Sequence, residues 1–224
     1  MPRGCRTRHC RPTQRSNALA SFNCQRLRCL VQPLCRVVRL SGKLFYRHSR
    51  LDLPAFRYHP DPIATGSVEA SDAVCECCDR VRGFVYTGPV YSVEEVGHLC
   101  PWCIASGEAH ERFDAAFTDA TDLDGVPDSV RAEVEERTPG FSGWQQERWL
   151  GHHGDACAFL GPAGYPEVEA YGSPDLRASL SRDLGWPEDE FAEYYAGLER
   201  EGQPTAYVFR CLHCGTLLGY SDFT

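Results

Sequence analysis

Three pairs of cysteines stand three residues apart in the chain: Cys75 and Cys78, Cys100 and Cys103, Cys211 and Cys214. Sulfurs at this spacing turn toward one point when the backbone folds as a tight knuckle. Two such knuckles supply the four soft thiolates that a structural Zn2+ prefers, at about 2.3 Å each. The first two pairs read C-x2-C-x21-C-x2-C, close to the spacing of a four-thiolate zinc ribbon. Disulfides and redox dithiols are the competing chemistries. The first is disfavoured because no secretory signal precedes the motif, the second because no βαβ pattern surrounds it. Cys77 is a surplus thiol inside the first knuckle, placed to exchange with Cys75 or Cys78.

The third pair needs partners, and Cys157 with the preceding His152-His153-Gly-Asp-Ala supplies them. His153, Cys157, Cys211 and Cys214 form an expected Cys3His set for a second zinc, with His152 as the competing imidazole. The bland alternative is that both histidines are surface residues and Cys157 a core thiol. Two zinc ions are therefore the expected cofactors, both held by closed sets of four protein donors.

Around these residues the sequence outlines the elements that must position them. Arg82–Tyr91 is β-rich with a Gly-Pro break and suits a hairpin joining the first two knuckles. Ile104–Phe117 reads as one helix, Pro127–Arg137 as a short acid-rich one. Residues 119–125 read as a polar loop, and 138–149 as a turn followed by a short helical segment. Ser173-Pro174 starts a helix that ends at Gly185, and Trp186-Pro-Glu-Asp-Glu opens another that ends near Arg200. Tyr207–Tyr220 reads as strand, knuckle, strand, with Gly215 allowing the turn after Cys214. The fold class expected is α+β: small antiparallel zinc-ribbon hairpins with packed short helices and two zinc knuckle sites.

The chain has 224 residues, 42% of them hydrophobic and 24% charged, enough for a buried core. No run approaches the roughly 20 apolar residues of a membrane span. Charge divides it sharply. Residues 1–50 hold 12 of the 23 Lys and Arg and none of the 31 Asp and Glu. Two domains follow. Residues 1–50 read as a basic Arg- and Cys-rich disordered arm with at most a short helix near Leu27–Leu40. A nucleic-acid arm, a transit peptide and a metal-binding tail are its competing readings; upstream sequence read from a start placed too early is favoured. Residues 51–224 form the folded body, with the first ribbon at about 73–104, a helical middle, and the second zinc site made by 152–157 with 205–221. The body's acidity disfavours non-specific binding to phosphate backbones.

Tyr58-His-Pro-Asp-Pro62, Tyr86-Thr-Gly-Pro-Val-Tyr91, Leu99-Cys-Pro-Trp-Cys-Ile104, Arg137-Thr-Pro-Gly140, Gly143-Trp-Gln-Gln146 and Phe209-Arg-Cys-Leu-His-Cys-Gly215 resemble the CbrC family of bacterial proteins. The resemblance spans residues 53–224. It implies a protein without an established biochemical activity, linked to colicin tolerance and to regulation by a carbon-source response. Similar sequences carry a cysteine where this chain has His153, a change that keeps a competent zinc ligand.

The expected function is a non-enzymatic zinc-binding protein of the cytoplasm whose ribbons present a surface to a protein partner. Tyr86, Tyr91, Trp102, Trp144 and Trp149 are the candidate aromatic anchors. No HExxH, GxSxG, P-loop or GxGxxG stands in a suitable context, so no catalytic residue is assigned. His59, His98, His110, Asp114 and Asp155 are the acid–base groups an enzyme would use. The alternatives are a metal-dependent hydrolase or deaminase at the second site and a thiol/zinc redox sensor built on Cys77.

Overall fold

A computed structural model of the chain describes residues 53–224. The arm and its expected helix lie outside the described residues. The elements are β1 (Val68–Ala70), β2 (Val74–Cys75), β3 (Arg80–Val81), β4 (Phe84–Tyr86), α1 (Pro101–Ser106), α2 (Glu108–Phe113) and α3 (Asp128–Arg137). They continue with β5 (Gly151–His152), β6 (Asp155–Ala156), β7 (Ala158–Ala163), α4 (Tyr165–Tyr171), α5 (Pro174–Leu184), α6 (Glu188–Ala196), β8 (Thr205–Arg210) and β9 (Leu217–Asp222). Short helices and small antiparallel sheets are the α+β pattern expected. No helix among the described residues is long and apolar enough to cross a membrane.

A three-stranded antiparallel sheet, ordered β7-β8-β9, carries the largest core. Pro162 lies on β7 at its edge, where a missing N–H is tolerated. The aromatic rings of Phe141, Trp149, Phe159, Tyr207, Phe209 and Tyr220 pack on one face; Phe141 stacks on Phe159 at 3.8 Å. Each such buried ring contributes roughly 1.5–3 kcal/mol of transfer free energy. Helix α5 covers the opposite face, with Leu176, Leu180, Phe191 and Val208 in a second core.

The remaining strands are two or three residues long. β2 pairs with β3 and β1 pairs with β4. The expected hairpin within Arg82–Tyr91 is therefore corrected: Phe84–Tyr86 finds its partner upstream at Val68–Ala70, and Tyr91 bridges to Ala116. The single helix expected over Ile104–Phe117 is two, broken where the backbone turns left-handed at Gly107 and ended by Asp114 in the same conformation. Residues 138–149 hold no helix. Their backbone is drawn to β8 and β9 instead, Gln145 N–H donating to Asp222 and Arg148 N–H to Tyr220. Helices α3 and α5 fall where the sequence placed them; α6 opens as expected after Trp186-Pro187 but ends at Ala196 rather than near Arg200, stopped at Gly197. The Ser173 hydroxyl caps α5 by accepting from Leu176 N–H.

Candidate metal centres

The first centre is built from β2, the turn after it and the start of α1. Asp79 N–H donates to Cys75 O, closing the Cys75–Cys78 knuckle, while Cys103 N–H donates to Cys100 O across the first turn of α1. Cys100 precedes α1 and Pro101 opens it, so both sulfurs sit at a helix start. The four sulfurs form a compact group. Cys75 and Cys103 are 3.9 Å apart, Cys78 and Cys100 3.9 Å, and Cys100 and Cys103 3.5 Å. A tetrahedron of Zn–S bonds of about 2.3 Å has edges of about 3.8 Å. Three of the four cysteines are buried, Cys78 partly.

Burial and mutual contact set their ionisation. The hydrogen bond with Cys100 and backbone N–H groups of Cys100, Cys78 and Cys77 hold Cys75 down to about 4. The same sulfur contact and burial push Cys100 well up, and burial does so for Cys103. One thiolate among protonated thiols is what a cation-free cluster can sustain; a divalent cation would favour ionisation of all four.

The second centre lies at one end of the large sheet. β5 and β6 pair through Gly151–Ala156 and His152–Asp155, leaving His153-Gly154 as the two-residue turn. Both turn residues have positive φ, 57° and 72°, the pattern of a type I′ hairpin, where glycine is favoured. Opposite this hairpin, β8 and β9 are joined by the Cys211–Cys214 knuckle, tied by Cys211 N–H to Thr216 O and Gly215 N–H to Cys211 O. Gly215 has φ 77°, as the turn demands.

Here the donors that come together are His152, His153, Cys211 and Cys214, all within 4.8 Å of one another. Cys211 Sγ is 3.8 Å from His153 Nδ1, and Cys214 Sγ is 3.6 Å from His152 Nδ1. Zn–S and Zn–N bonds of about 2.3 and 2.05 Å subtend a tetrahedral edge of about 3.6 Å. The expected set is thus altered: His152 stands in the group and Cys157 outside it. The tight turn sends both imidazoles toward the knuckle. Cys157, past β6, is fully buried among the aromatic core, with its N–H donating to Leu150 O and its carbonyl accepting from Trp149 Nε1. Burial and the neighbouring Cys211 push its thiol up to about 12. Cys214 is exposed, and the Thr216 hydroxyl 3.1 Å from its sulfur holds it below the usual thiol range.

Asp155 braces this centre. Its Oδ2 is 2.7 Å from Arg57 Nη2 and 2.9 Å from His213 Nε2; its Oδ1 accepts from the Tyr58 hydroxyl at 2.7 Å and from Ala156 N–H at 2.9 Å. Burial raises the carboxyl, but hydrogen bonds from Tyr58 and His213 outweigh it and leave it below the ordinary carboxylate range. His213 lies inside the Cys211–Cys214 knuckle, so this carboxylate links the turn, the knuckle and the lead-in segment. Sequence reasoning missed that bracing role. The signal was present in the acid two residues beyond a candidate imidazole ligand.

The other acid–base candidates do not converge. His59 is buried with Nδ1 2.6 Å from Pro139 O and Nε2 2.7 Å from Thr65 Oγ1. His98 lies near Glu76, and His110 spans Ala115 O and Glu136. Of the aromatic anchors, Tyr86 and Trp149 are core residues, Trp102 is half-buried, and Tyr91 and Trp144 are exposed.

The match to known proteins spans both centres. A protein of Mycobacterium bovis is 52% identical over 177 residues, covering 76% of this chain and 94% of its own length. One from Mycobacterium tuberculosis matches to the same extent. A Pseudomonas aeruginosa protein is 48% identical over 176 residues, covering 77% of this chain and 98% of its own. All three are named UPF0167 proteins. No solved structure matches. Residues 53–223 match the family described as uncharacterised protein family UPF0167, and the chain belongs to that family.

Proposed function

We propose that the chain is a non-enzymatic zinc-binding protein whose two metal centres fix a surface for a protein partner. The observation that carries this is the pair of four-donor groups. Both have donor separations matching the edges of a zinc tetrahedron, 3.5–3.9 Å between sulfurs at the first and 3.6–3.8 Å between sulfur and nitrogen at the second. Cys75, Cys78, Cys100 and Cys103 would hold one ion; His152, His153, Cys211 and Cys214 the other. Zn2+ there would supply charge and cross-linking: it keeps the thiolates ionised and ties distant segments together. Four protein donors leave no position for substrate, which is the structural rather than the catalytic pattern.

The partner-facing reading rests on surface chemistry. Trp144, Trp186 and Phe223 are exposed, Trp186 meets the rings of Tyr194 and Phe223, and α6, which begins two residues after Trp186, carries the exposed carboxylates Glu188, Asp189, Glu190 and Glu193. Exposed aromatic anchors next in the chain to an acidic helix suit a basic protein. The cytoplasm is the compartment proposed, since cysteines gathered as metal donors must stay reduced to bind. The resemblance to the CbrC family adds colicin tolerance or stress response as the setting, on motif likeness alone.

A second reading, a metal-dependent hydrolase, is favoured only by the exposure of the second centre and by the Asp155–His213 pair beside it. Zinc content per full chain, with Cys100→Ser and His152→Ala, tests the main reading. Each variant is expected to lose one zinc. A wild-type chain without zinc sinks it, and a second-site zinc with an exchangeable water ligand favours the hydrolase.

A further inference from the structure

A divalent ion held by four thiolates keeps a surplus of two negative charges. At the first centre three of the four sulfurs are buried, so that surplus must be met by the protein. Glu108 increases the need, with Oε2 3.7 Å from Cys103 Sγ. The backbone meets part of it: Cys100 N–H donates to Cys75 Sγ at 3.2 Å. Cys78 is the donor left half-buried, and of the four it alone lines a cavity of about 610 Å³.

Arg80, Arg82 and Arg112 line the same cavity, in a body otherwise rich in carboxylates. Arg80 is exposed, and Arg112 is engaged elsewhere, donating to Cys77 O. Arg82 is the one held beside the sulfurs. It is half-buried, its guanidinium lies over the Trp102 ring at 5.5 Å, and its Nε is buried with no hydrogen-bond partner. Contact with the Cys78 side chain, with the nearby Cys100 and Cys103, holds the guanidinium above its ordinary range. A buried N–H without an acceptor costs stability. A thiol is a weak acceptor, whereas a charged sulfur is a strong one.

We propose that Arg82 is a positioning residue of the first centre: its guanidinium donates to the metal-bound Cys78 sulfur and holds that ligand against exchange. This rests on the zinc reading above and adds to it the residue that governs how fast the metal leaves. Trp102 supports the guanidinium through its ring face, so little side-chain freedom is lost when the bond forms. Cys78 is the sulfur that a competing ligand reaches first, because it faces the cavity while Cys75, Cys100 and Cys103 do not. Exchange at the first centre therefore begins at Cys78, and Arg82 slows it.

The experiment loads the full chain with Co2+, whose absorption distinguishes four sulfurs from two sulfurs and two nitrogens. Excess EDTA is added and the decay of the four-sulfur band is followed. Arg82→Gln is expected to lose the band roughly ten- to a hundredfold faster, the range that a charge-assisted hydrogen bond commands. Arg82→Lys keeps the charge and the stem but not the guanidinium fork, and is expected to fall between Arg82→Gln and the unaltered chain. Iodoacetamide labelling, read by proteolysis and mass spectrometry, supplies a second signal. In metal-loaded Arg82→Gln, Cys78 is expected to be alkylated ahead of Cys75, Cys100 and Cys103. A merely loosened fold would label all four together, and that result overturns the proposal. Equal decay in Arg82→Gln and the unaltered chain overturns it too, as does an Arg82→Lys chain as slow as the unaltered one. An unaltered chain that never develops the four-sulfur band overturns the metal reading itself, and this proposal with it.

Discussion

The two centres hang on different kinds of scaffold. Around Cys75, Cys78, Cys100 and Cys103 the strands are two or three residues long and the helices six. The core there buries Cys75, Cys77, Cys100 and Cys103 among Phe56, Tyr86, Leu99, Ile104, Ala109, Ala115 and Phe117. Around His152, His153, Cys211 and Cys214 the strands β8 and β9 pair over six residues and stand on a stack of aromatic rings. The first region gathers buried sulfurs where little else gathers chain. The second displays two exposed donors, His153 and Cys214, with His152 half-buried and Cys211 buried, at the end of a sheet with its own aromatic core. On the proposed reading, metal at the first would be a folding element and metal at the second an addition to a fold already made.

The largest effect tests that difference directly. Cys100→Ser is expected to remove one zinc and abolish amide-exchange protection across residues 68–117, while β7–β9 stay protected. A structural zinc contributes about 10–16 kcal/mol in small domains, as much as a whole domain's stability. Unchanged protection in 68–117 would mean that the short elements stand alone and the contrast is false.

Acid should then act on the second region through His59. Burial lowers this histidine to about 4 from its usual 6.5. It packs edge-on against Phe159 at 5.1 Å and near Trp149 at 6.5 Å. Between those pH values the unfolded chain binds a proton that the folded chain refuses. Stability is therefore complete above about pH 6.5 and falls as pH drops toward 4, by roughly 3 kcal/mol at most. Urea unfolding at pH 7 and at pH 4.5, on the chain and on His59→Asn, measures it. An equal pH slope in both proteins would assign the acid sensitivity to the metal donors instead.

His152→Ala sharpens the comparison from the other side. One zinc is expected to be lost, with the sheet intact by circular dichroism and Tm lowered by only a few degrees, since about 1 kcal/mol moves Tm by some 2–4 °C at this size. Collapse of the sheet on this change would make the second metal as structural as the first.

Much of this was legible in the sequence where chemistry is local. Short cysteine spacings brought the first four donors into one expected set, and Ser173-Pro174 with Gly185 marked both ends of α5. What escaped depends on partners far along the chain. β7 carries Gly161 and Pro162, which argue against a strand until an edge position excuses them. Helix α4 opens at Gly164-Tyr165-Pro166, where Glu167 reaches back to the Gly164 N–H and completes a cap that no serine or threonine announced. β4 found its partner in three residues, Val68–Ala70, too short to carry a pattern. The second donor set turned on backbone geometry: a type I′ turn at His153-Gly154 brings both histidines to the knuckle, whereas spacing alone ranked Cys157 ahead of His152.

Cys157 is where the smallest expected effect decides the most. Its sulfur is fully buried within the aromatic core, in hydrogen-bond contact with Cys211, while its backbone is held by Leu150 and Trp149. Removing one heavy atom from such a site costs about 1 kcal/mol, the cost of a small cavity. A metal ligand would behave otherwise. Losing one of four donors would empty the second centre, as His152→Ala is expected to. Cys157→Ala should therefore keep both zinc ions and lower Tm slightly, with elemental analysis and thermal unfolding as the two readouts. If zinc falls to one and His152→Ala keeps two, the donors are His153, Cys157, Cys211 and Cys214. The second metal would then be sunk into the aromatic core, and the contrast between a buried and a displayed centre would disappear.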